Sequence, residues 1–370
     1  MKYYIIAGEA SGDLHGSNLM KELYKKDSSA DIRFWGGDLM QNVGGTLVKH
    51  YRELAFMGFV EVIFNLKTIL GNIKICKKDI LEFNPDVLIF IDYPGFNLRI
   101  AKWAKALGMR THYYISPQIW AWKESRISDI KRDVDKMYVI LPFEKKFYEE
   151  KHQYPVEFVG HPLIDAINNQ PKVDAITFRT ENKLSDKPII AVLPGSRKQE
   201  ITKMLSVMLS VVNDFPDYQF VIAGAPSQDF EFYKNFITQD NIKFISNKTY
   251  DLLRNSTAAL VTSGTATLET ALFKVPEVVC YKGSWGSYQI AKRIITLKYI
   301  SLVNLIMDEE VVTELIQEDC THKRIKEELQ KLLTPSYRNT LLEKYALLEK
   351  QLGGIGASEK TAALIFDDLK

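Results

Sequence analysis

The chain is poor in the residues that most often betray metals, disulfides or redox chemistry. Its 370 residues include three cysteines and six histidines. Cys76, Cys280 and Cys320 are odd in number, far apart and in no CxxC pair or metal spacing, which fits a reducing compartment. The histidines are equally scattered, so no metal and no other cofactor is expected. An excess of one charge is also missing: 48 Lys+Arg face 46 Asp+Glu, and a net charge of +2 gives no footprint for a nucleic-acid partner. No apolar run reaches the ~20 residues a membrane span needs. The opening Met1–Gly8 reads as a first strand running into a turn, its apolar run too short for a signal peptide, so a cytoplasmic location is expected. Internal repeats and low-complexity tracts are lacking as well.

What is present is a hydrophobic fraction of 46%, spread along a chain longer than one core usually supports. Short β-branched runs at 3–7, 32–35, 86–91, 111–114, 137–140 and 156–159 precede a second set at 189–193, 219–223, 242–245, 258–262 and 277–281. Helical patterns such as 14–26, 97–107, 200–214 and 265–273 separate most of them. This alternation predicts parallel sheets with crossover helices, an α/β class with two doubly wound, Rossmann-like domains. The polar stretch from Ile164 to Pro188 reads as the junction. Domains are expected at 1–165 and 166–345, with a helical tail, 346–370, packing back on the first.

Ligands of such sheets sit beyond the carboxyl ends of the strands. After the run at 258–262 come Ser263, Gly264 and Thr265, a helix start suited to an anion, with Glu269 one turn on, placed to hold a ribose diol. After 189–193 come Gly195, Ser196 and Arg197, a second Gly-Ser turn whose arginine can reach phosphate oxygens. Two such turns in one domain favour a pyrophosphate over two ordinary helix caps. The first domain differs. Its turn, Gly8-Glu9-Ala10-Ser11-Gly12-Asp13, is too acidic for a pyrophosphate and suits a hydroxyl-rich substrate, with Asp13 alternatively capping the turn. Asp92 ends the run at 86–91, where it serves either as general base or as an anchor of the next turn. His15 is another candidate base. Ser116, Trp120 and Lys123, with Trp122 and Arg126, lie in a loop able to grip a phosphorylated, greasy substrate, although Trp122 is expected to face the core.

The most apolar stretch is 54–75. Phe59, Ile63 and Leu66 recur at helical spacing, while Val60, Phe64 and Ile69 widen the apolar surface beyond one buried stripe. Lys67, Lys74, Lys77 and Lys78 lie close by. The stretch reads as a helix that enters a membrane interface, or else as a buried core helix.

Taken together, AGEASGD at 7–13, MGFVEVI at 57–63, IDYPGFN at 91–97, YISPQIWAWK at 114–123, LPFEKKFY at 141–148, FVGHPLID at 158–165, LPGSR at 193–197, SGTATLE at 263–269 and LIQED at 315–319 span nearly the whole chain. In this order they resemble the lipid-A-disaccharide synthases, bacterial glycosyltransferases of the GT-B fold, in which two Rossmann-like domains face each other across a cleft. The resemblance implies a metal-independent transfer from UDP-2,3-diacylglucosamine to 2,3-diacylglucosamine 1-phosphate, giving the lipid A disaccharide 1-phosphate and UDP. Its partners are the UDP-sugar, the acylated sugar-phosphate and the cytoplasmic face of the inner membrane; a homodimer is compatible with it. It places the donor on Gly195, Ser196, Arg197, Ser263, Gly264, Thr265 and Glu269, and adds Asn304 and Gln317. It puts Glu9 and Asp92 near the acceptor, together with Ser11, Asp13, Ser116, Trp120 and Lys123. An inverting single displacement with Asp92 or Glu9 as base is the expected chemistry. The chain departs from the family's pattern at Gly95, where an acid is common, at Lys282, where arginine is usual, and at Val303, which replaces a proline. The alternative is an isomerase of the UDP-N-acetylglucosamine 2-epimerase type, which has the same two-domain architecture.

Overall fold

The computed structural model describes residues 1–54, 66–225, 228–283 and 298–370. Phe59, Val60, Ile63 and Phe64 therefore lie outside the described residues. The chain forms two compact units, Met1–Asn169 with Leu352–Lys370, and Gln170–Gln351.

The first unit is built on a seven-stranded sheet. Its strands are β1 (Lys2–Ala7), β2 (Asp31–Gly36), β3 (Thr46–His50), β4 (Val87–Ile91), β5 (Thr111–Tyr114), β6 (Lys136–Val139) and β7 (Glu157–Phe158), all paired in parallel in the order β3-β2-β1-β4-β5-β6-β7. β1 and β4 are buried along almost their whole length, which is why they read as continuous apolar runs. On one face Tyr4, Ile6, Leu88, Phe90 and Tyr113 pack against Ile80, Phe96, Ile100 and Ile130 of the crossover helices. Each such side chain contributes about 1.5–3 kcal/mol of burial. On the other face the helix Ala10–Lys26 packs along the last helix, Ala357–Leu369. Asp165 fastens that last helix by accepting from the N–H groups of Gly356 (2.7 Å) and Ser358 (2.9 Å).

The second unit carries β8 (Ile189–Leu193), β9 (Gln219–Gly224), β10 (Ile242–Ser246), β11 (Ser256–Thr262), β12 (Glu277–Tyr281) and β13 (Glu314–Ile316). They too pair in parallel, in the order β10-β9-β8-β11-β12-β13. Ile189, Ala191, Leu193, Val221, Ala259 and Val261 form its core with Leu252 and Leu253.

Two strands, β3 and β13, have no counterpart in the sequence reading. Both sit at sheet edges and are only partly buried, so neither needs a continuous apolar run. The helix after β1 starts at Ala10 and not at residue 14, so Ser11 and Asp13 lie in its first turn. Each sheet reverses its strand order once. The chain leaves β1 for β2 on one side, and β4 lies on the other; β8 stands in the same way between β9 and β11. At such switch points the two crossover connections diverge and leave a crevice at the strand ends.

Candidate active site residues

Ala7 pairs with Ile91, so the turns that leave β1 and β4 emerge side by side at the first switch point. Gly8 makes their close approach possible: a Cβ there would lie 2.2, 2.4 and 2.6 Å from three atoms of the Tyr93 ring. Glu9 follows as the exposed N-cap of the helix Ala10–Lys26, with Ser11 exposed on its first turn. Asp92 takes φ +45° and Tyr93 φ +50°, left-handed values rare for residues with side chains. Burial, and then the charge of Glu9, push the Asp92 carboxyl up to about 6. The site thus pairs a basic carboxylate with a second acid. That is the arrangement a general base needs near neutral pH.

Three acceptor candidates have polar atoms engaged by their surroundings. Asp13 is 3% exposed, and both its oxygens are occupied. Oδ1 accepts from the N–H groups of Gly37 (2.8 Å) and Met40 (3.0 Å), and Oδ2 from that of Leu39 (3.0 Å). Asp13 therefore caps the helix Asp38–Val43, with three of its four lone-pair positions taken by the fold. Ser116 Oγ donates to Glu144 Oε1, to which Trp120 Nε1 also donates at 3.1 Å. Glu144 is buried, and its Oε2 accepts from the N–H groups of Ile140 and Leu141 at 3.1 and 2.9 Å. The polar atoms of Ser116 and Trp120 thus fold their own loop around an acid whose pKa is raised by burial. Trp122 reverses the expectation of a core-facing ring. It is 45% exposed, with Lys123 Nζ and the Arg126 guanidinium 4.5 and 5.6 Å from its ring centre. His15 is buried and neutral near pH 7, its pKa lowered to about 4 by burial, which removes it as a base exposed to substrate.

At the second switch point Leu193 pairs with Val261, and the turns after β8 and β11 emerge together. Gly195 has φ +101°, and a Cβ there would lie 2.2 Å from Glu200 Oε2. That same oxygen accepts from the Ser196 N–H at 3.3 Å. Arg197 is the exposed, extended N-cap of the helix Lys198–Met208 and makes no ion pair among the described residues. Opposite, Gly264 has φ +150° and open space where a Cβ would be, so a ligand can approach the backbone at the start of the helix Thr265–Leu272. Thr265 is exposed, while Ser263 Oγ donates to Ile300 O at 2.9 Å. Glu269 accepts from Tyr250 OH at 3.1 Å, and burial raises its carboxyl to about 7. Tyr250 escaped the sequence reading because it precedes Glu269 by 19 residues, at the start of the helix Thr249–Arg254 that follows β10, with no motif around it.

Asn304 is engaged by the fold in the same way. It is fully buried and has all four of its bonding positions filled. Nδ2 donates to Val312 O (2.8 Å) and Glu314 Oε1 (2.9 Å), and Oδ1 accepts from the N–H groups of Val311 (2.8 Å) and Val312 (2.9 Å). Gln317 is the opposite case. It has φ +53° at the end of β13, and its Nε2 is buried without a partner among the described residues. An unpaired buried donor on a strained residue is what a ligand acceptor would satisfy. Gly95 is exposed with open space around it, so no local packing requires glycine there.

Comparison with known proteins gives a consistent picture. A family model described as Lipid-A-disaccharide synthetase matches residues 3–365. The chain is 37% identical over 370 residues to the lipid-A-disaccharide synthase of Trichlorobacter lovleyi, covering 98% of this chain and 96% of that one. It is 39% identical over 376 residues to that of Syntrophus aciditrophicus, covering 99% and 97%. Among solved structures, UDP-GlcNAc 2-epimerase from Neisseria meningitidis bound to UDP-GlcNAc superposes with a TM-score of 0.71 at 14% identity, over 99% of this chain and 100% of that one. At that identity the likeness shows the fold alone.

Proposed function

The chain belongs to the lipid-A-disaccharide synthase family, and on that premise we propose that it is an inverting transferase using UDP-2,3-diacylglucosamine and 2,3-diacylglucosamine 1-phosphate. It is thus a glycosyltransferase of lipid A disaccharide synthesis. One observation carries the finer reading. Each unit brings its two chemically distinctive turns together at the switch point of its sheet, acids in the first and Gly-Ser-Arg with Ser-Gly-Thr in the second.

In this reading Asp92 takes the proton of the acceptor's 6-hydroxyl as that oxygen attacks the anomeric carbon of the donor. The bond from the anomeric carbon to the UDP oxygen breaks, and its electron pair leaves with UDP. A single displacement from the opposite face inverts the configuration. Glu9 keeps Asp92 basic by its charge, and its exposure suits it to bind a sugar hydroxyl. Arg197 and the N–H groups at the start of Thr265–Leu272 stabilise the charge that grows on the diphosphate. Glu269 and Gln317 complete the donor site, the first through the ribose. The isomerase alternative draws on fold likeness, which carries no activity.

Arg197→Ala is expected to weaken UDP binding about 10–100-fold, since a charge-assisted hydrogen bond contributes about 1.5–3 kcal/mol. Titration calorimetry checks this, and an unchanged affinity removes Arg197 from the donor site.

Acylated substrates stay in a bilayer, because each buried CH₂ contributes about 0.8 kcal/mol. The enzyme must therefore work at its surface. Among the described residues no helix is long and apolar enough to cross a membrane. The helix Leu66–Phe83, which continues the apolar stretch, instead exposes Leu70 (54%) and Ile75 (49%) beside Lys74 and Lys78, while Ile69 is half-buried. That mixture suits an anionic lipid surface. The double variant Leu70→Glu, Ile75→Glu should lose most co-sedimentation with anionic vesicles at unchanged circular dichroism. Retained co-sedimentation would rule out this face as the contact.

A further inference from the structure

Asp92 and Tyr93 are the only adjacent non-glycine residues in the left-handed region among the described residues. An ordinary strand-to-helix turn with that backbone would use glycine, which adopts positive φ without a steric penalty. A side chain kept in this conformation needs neighbours that enforce it. Here they are identifiable. Asn97 is completely buried, and its Nδ2 donates to Asp92 O at 2.7 Å, with longer contacts to Ile91 O at 3.3 Å and Ile6 O at 3.4 Å. One amide thus ties the ends of β1 and β4 to the carbonyl of the strained residue. Tyr113 OH, from β5, donates to the same carbonyl at 2.5 Å. The N–H groups of Phe96 and Asn97 close the turn on Tyr93 O at 3.2 and 3.1 Å. The Tyr93 ring lies against Gly8 and stacks on Phe96, with centroids 5.8 Å apart.

We propose that Asn97, assisted by Tyr113, is the positioning residue of the reaction: through the Asp92 carbonyl it holds the left-handed Asp92–Tyr93 turn that aims the carboxylate at the acceptor. The inference rests on Asp92 as the base. Neither Asn97 nor Tyr113 bonds the carboxylate itself. Their loss acts by letting the turn relax, which misdirects the base and returns it toward water. Misplacement of a catalytic group by about 1 Å costs on the order of 10²-fold in rate.

Steady-state kinetics across pH on Asn97→Ala, Tyr113→Phe and Asp92→Asn test this. Tyr113→Phe keeps the ring and removes one hydrogen bond, so it reports even where Asn97→Ala folds poorly. The expected result is kcat lower by about 10²-fold in Asn97→Ala and about tenfold in Tyr113→Phe, with KM for both substrates within about twofold. In both, the acid limb of kcat/KM, which reports the free enzyme, moves below its wild-type position near 6, because a carboxyl restored to water is more acidic. A wild-type rate and limb in both variants overturns the proposal. A rate that falls only with the folded fraction, the limb unmoved, overturns it equally. Inactive Asp92→Asn beside unchanged Asn97 and Tyr113 variants defeats positioning alone, whereas active Asp92→Asn removes the base and the inference with it.

Discussion

Asp92→Asn should lower kcat by about 10²–10⁴-fold while leaving KM for both sugars nearly unchanged. The amide fills the same space and keeps the backbone bonds that hold the turn, since Asn97 and Tyr113 donate to the carbonyl and not to the side chain. What it lacks is proton affinity. The wild-type carboxyl, raised to about 6 by burial and by the charge of Glu9, is ionised at neutral pH yet more basic than an ordinary aspartate. It works only as the carboxylate. Wild-type kcat/KM, which reports the free enzyme, should therefore hold above pH 6 and fall tenfold per unit below it, while the residual kcat/KM of Asp92→Asn loses that acid limb. A pH-rate profile of both proteins checks the assignment. An acid limb that persists in Asp92→Asn belongs to another group, such as Glu269 in the donor site, whose carboxyl is raised to about 7.

Asn304→Ala should cost about 2–5 kcal/mol of stability without a specific loss of UDP affinity. The truncation leaves the N–H and the carbonyl of Val312 without a partner among the described residues in a buried segment, while the Val311 N–H keeps its bond to Glu309 O at 3.0 Å. Each such orphan costs about 1–3 kcal/mol. Glu314 loses one of its three donors and keeps the N–H groups of Ile300 and Ser301, both at 2.9 Å. At about 2–4 °C per kcal/mol for a unit of this size, thermal unfolding should fall by about 4–20 °C. Scanning calorimetry with and without UDP separates the alternatives. If Asn304 instead held the nucleotide, the variant would melt near the wild-type temperature and lose the increment that UDP confers.

The contrast between Asn304 and Gln317 shows where reading a sequence stops. Both were assigned to the donor site by the same resemblance. Asn304 has its four bonding positions filled by residues 312, 314 and 311, so the fold uses it up. Gln317, 13 positions on, keeps a buried donor without a partner among the described residues. Asp13, Ser116 and Trp120 divide from Glu9 and Asp92 on the same ground. Their partners, Gly37 to Met40 and Glu144, come from segments about 24–28 residues away, and nothing local marks the pairing. Trp122 shows the converse, an aromatic ring that stays at the surface because Lys123 and Arg126 flank it.

The order of residues was enough for the α/β class, the parallel strands of both sheet centres and the family. Strands buried on both faces must be apolar throughout, and helices that cover them must repeat at their own period, so both leave a local trace. Edge strands β3 and β13 leave little, because half their surface meets water. The site is a different kind of fact. Which turns emerge together depends on strand order, and strand order is set by contacts between residues far apart in the chain. The left-handed pair at Asp92 and Tyr93, the space that Gly8 leaves for a ring, and the buried amide of Gln317 exist only once those strands are side by side. Chemistry can be suspected from residue types. Whether a polar side chain is spent on the fold or left for a substrate is decided by neighbours that only folding supplies.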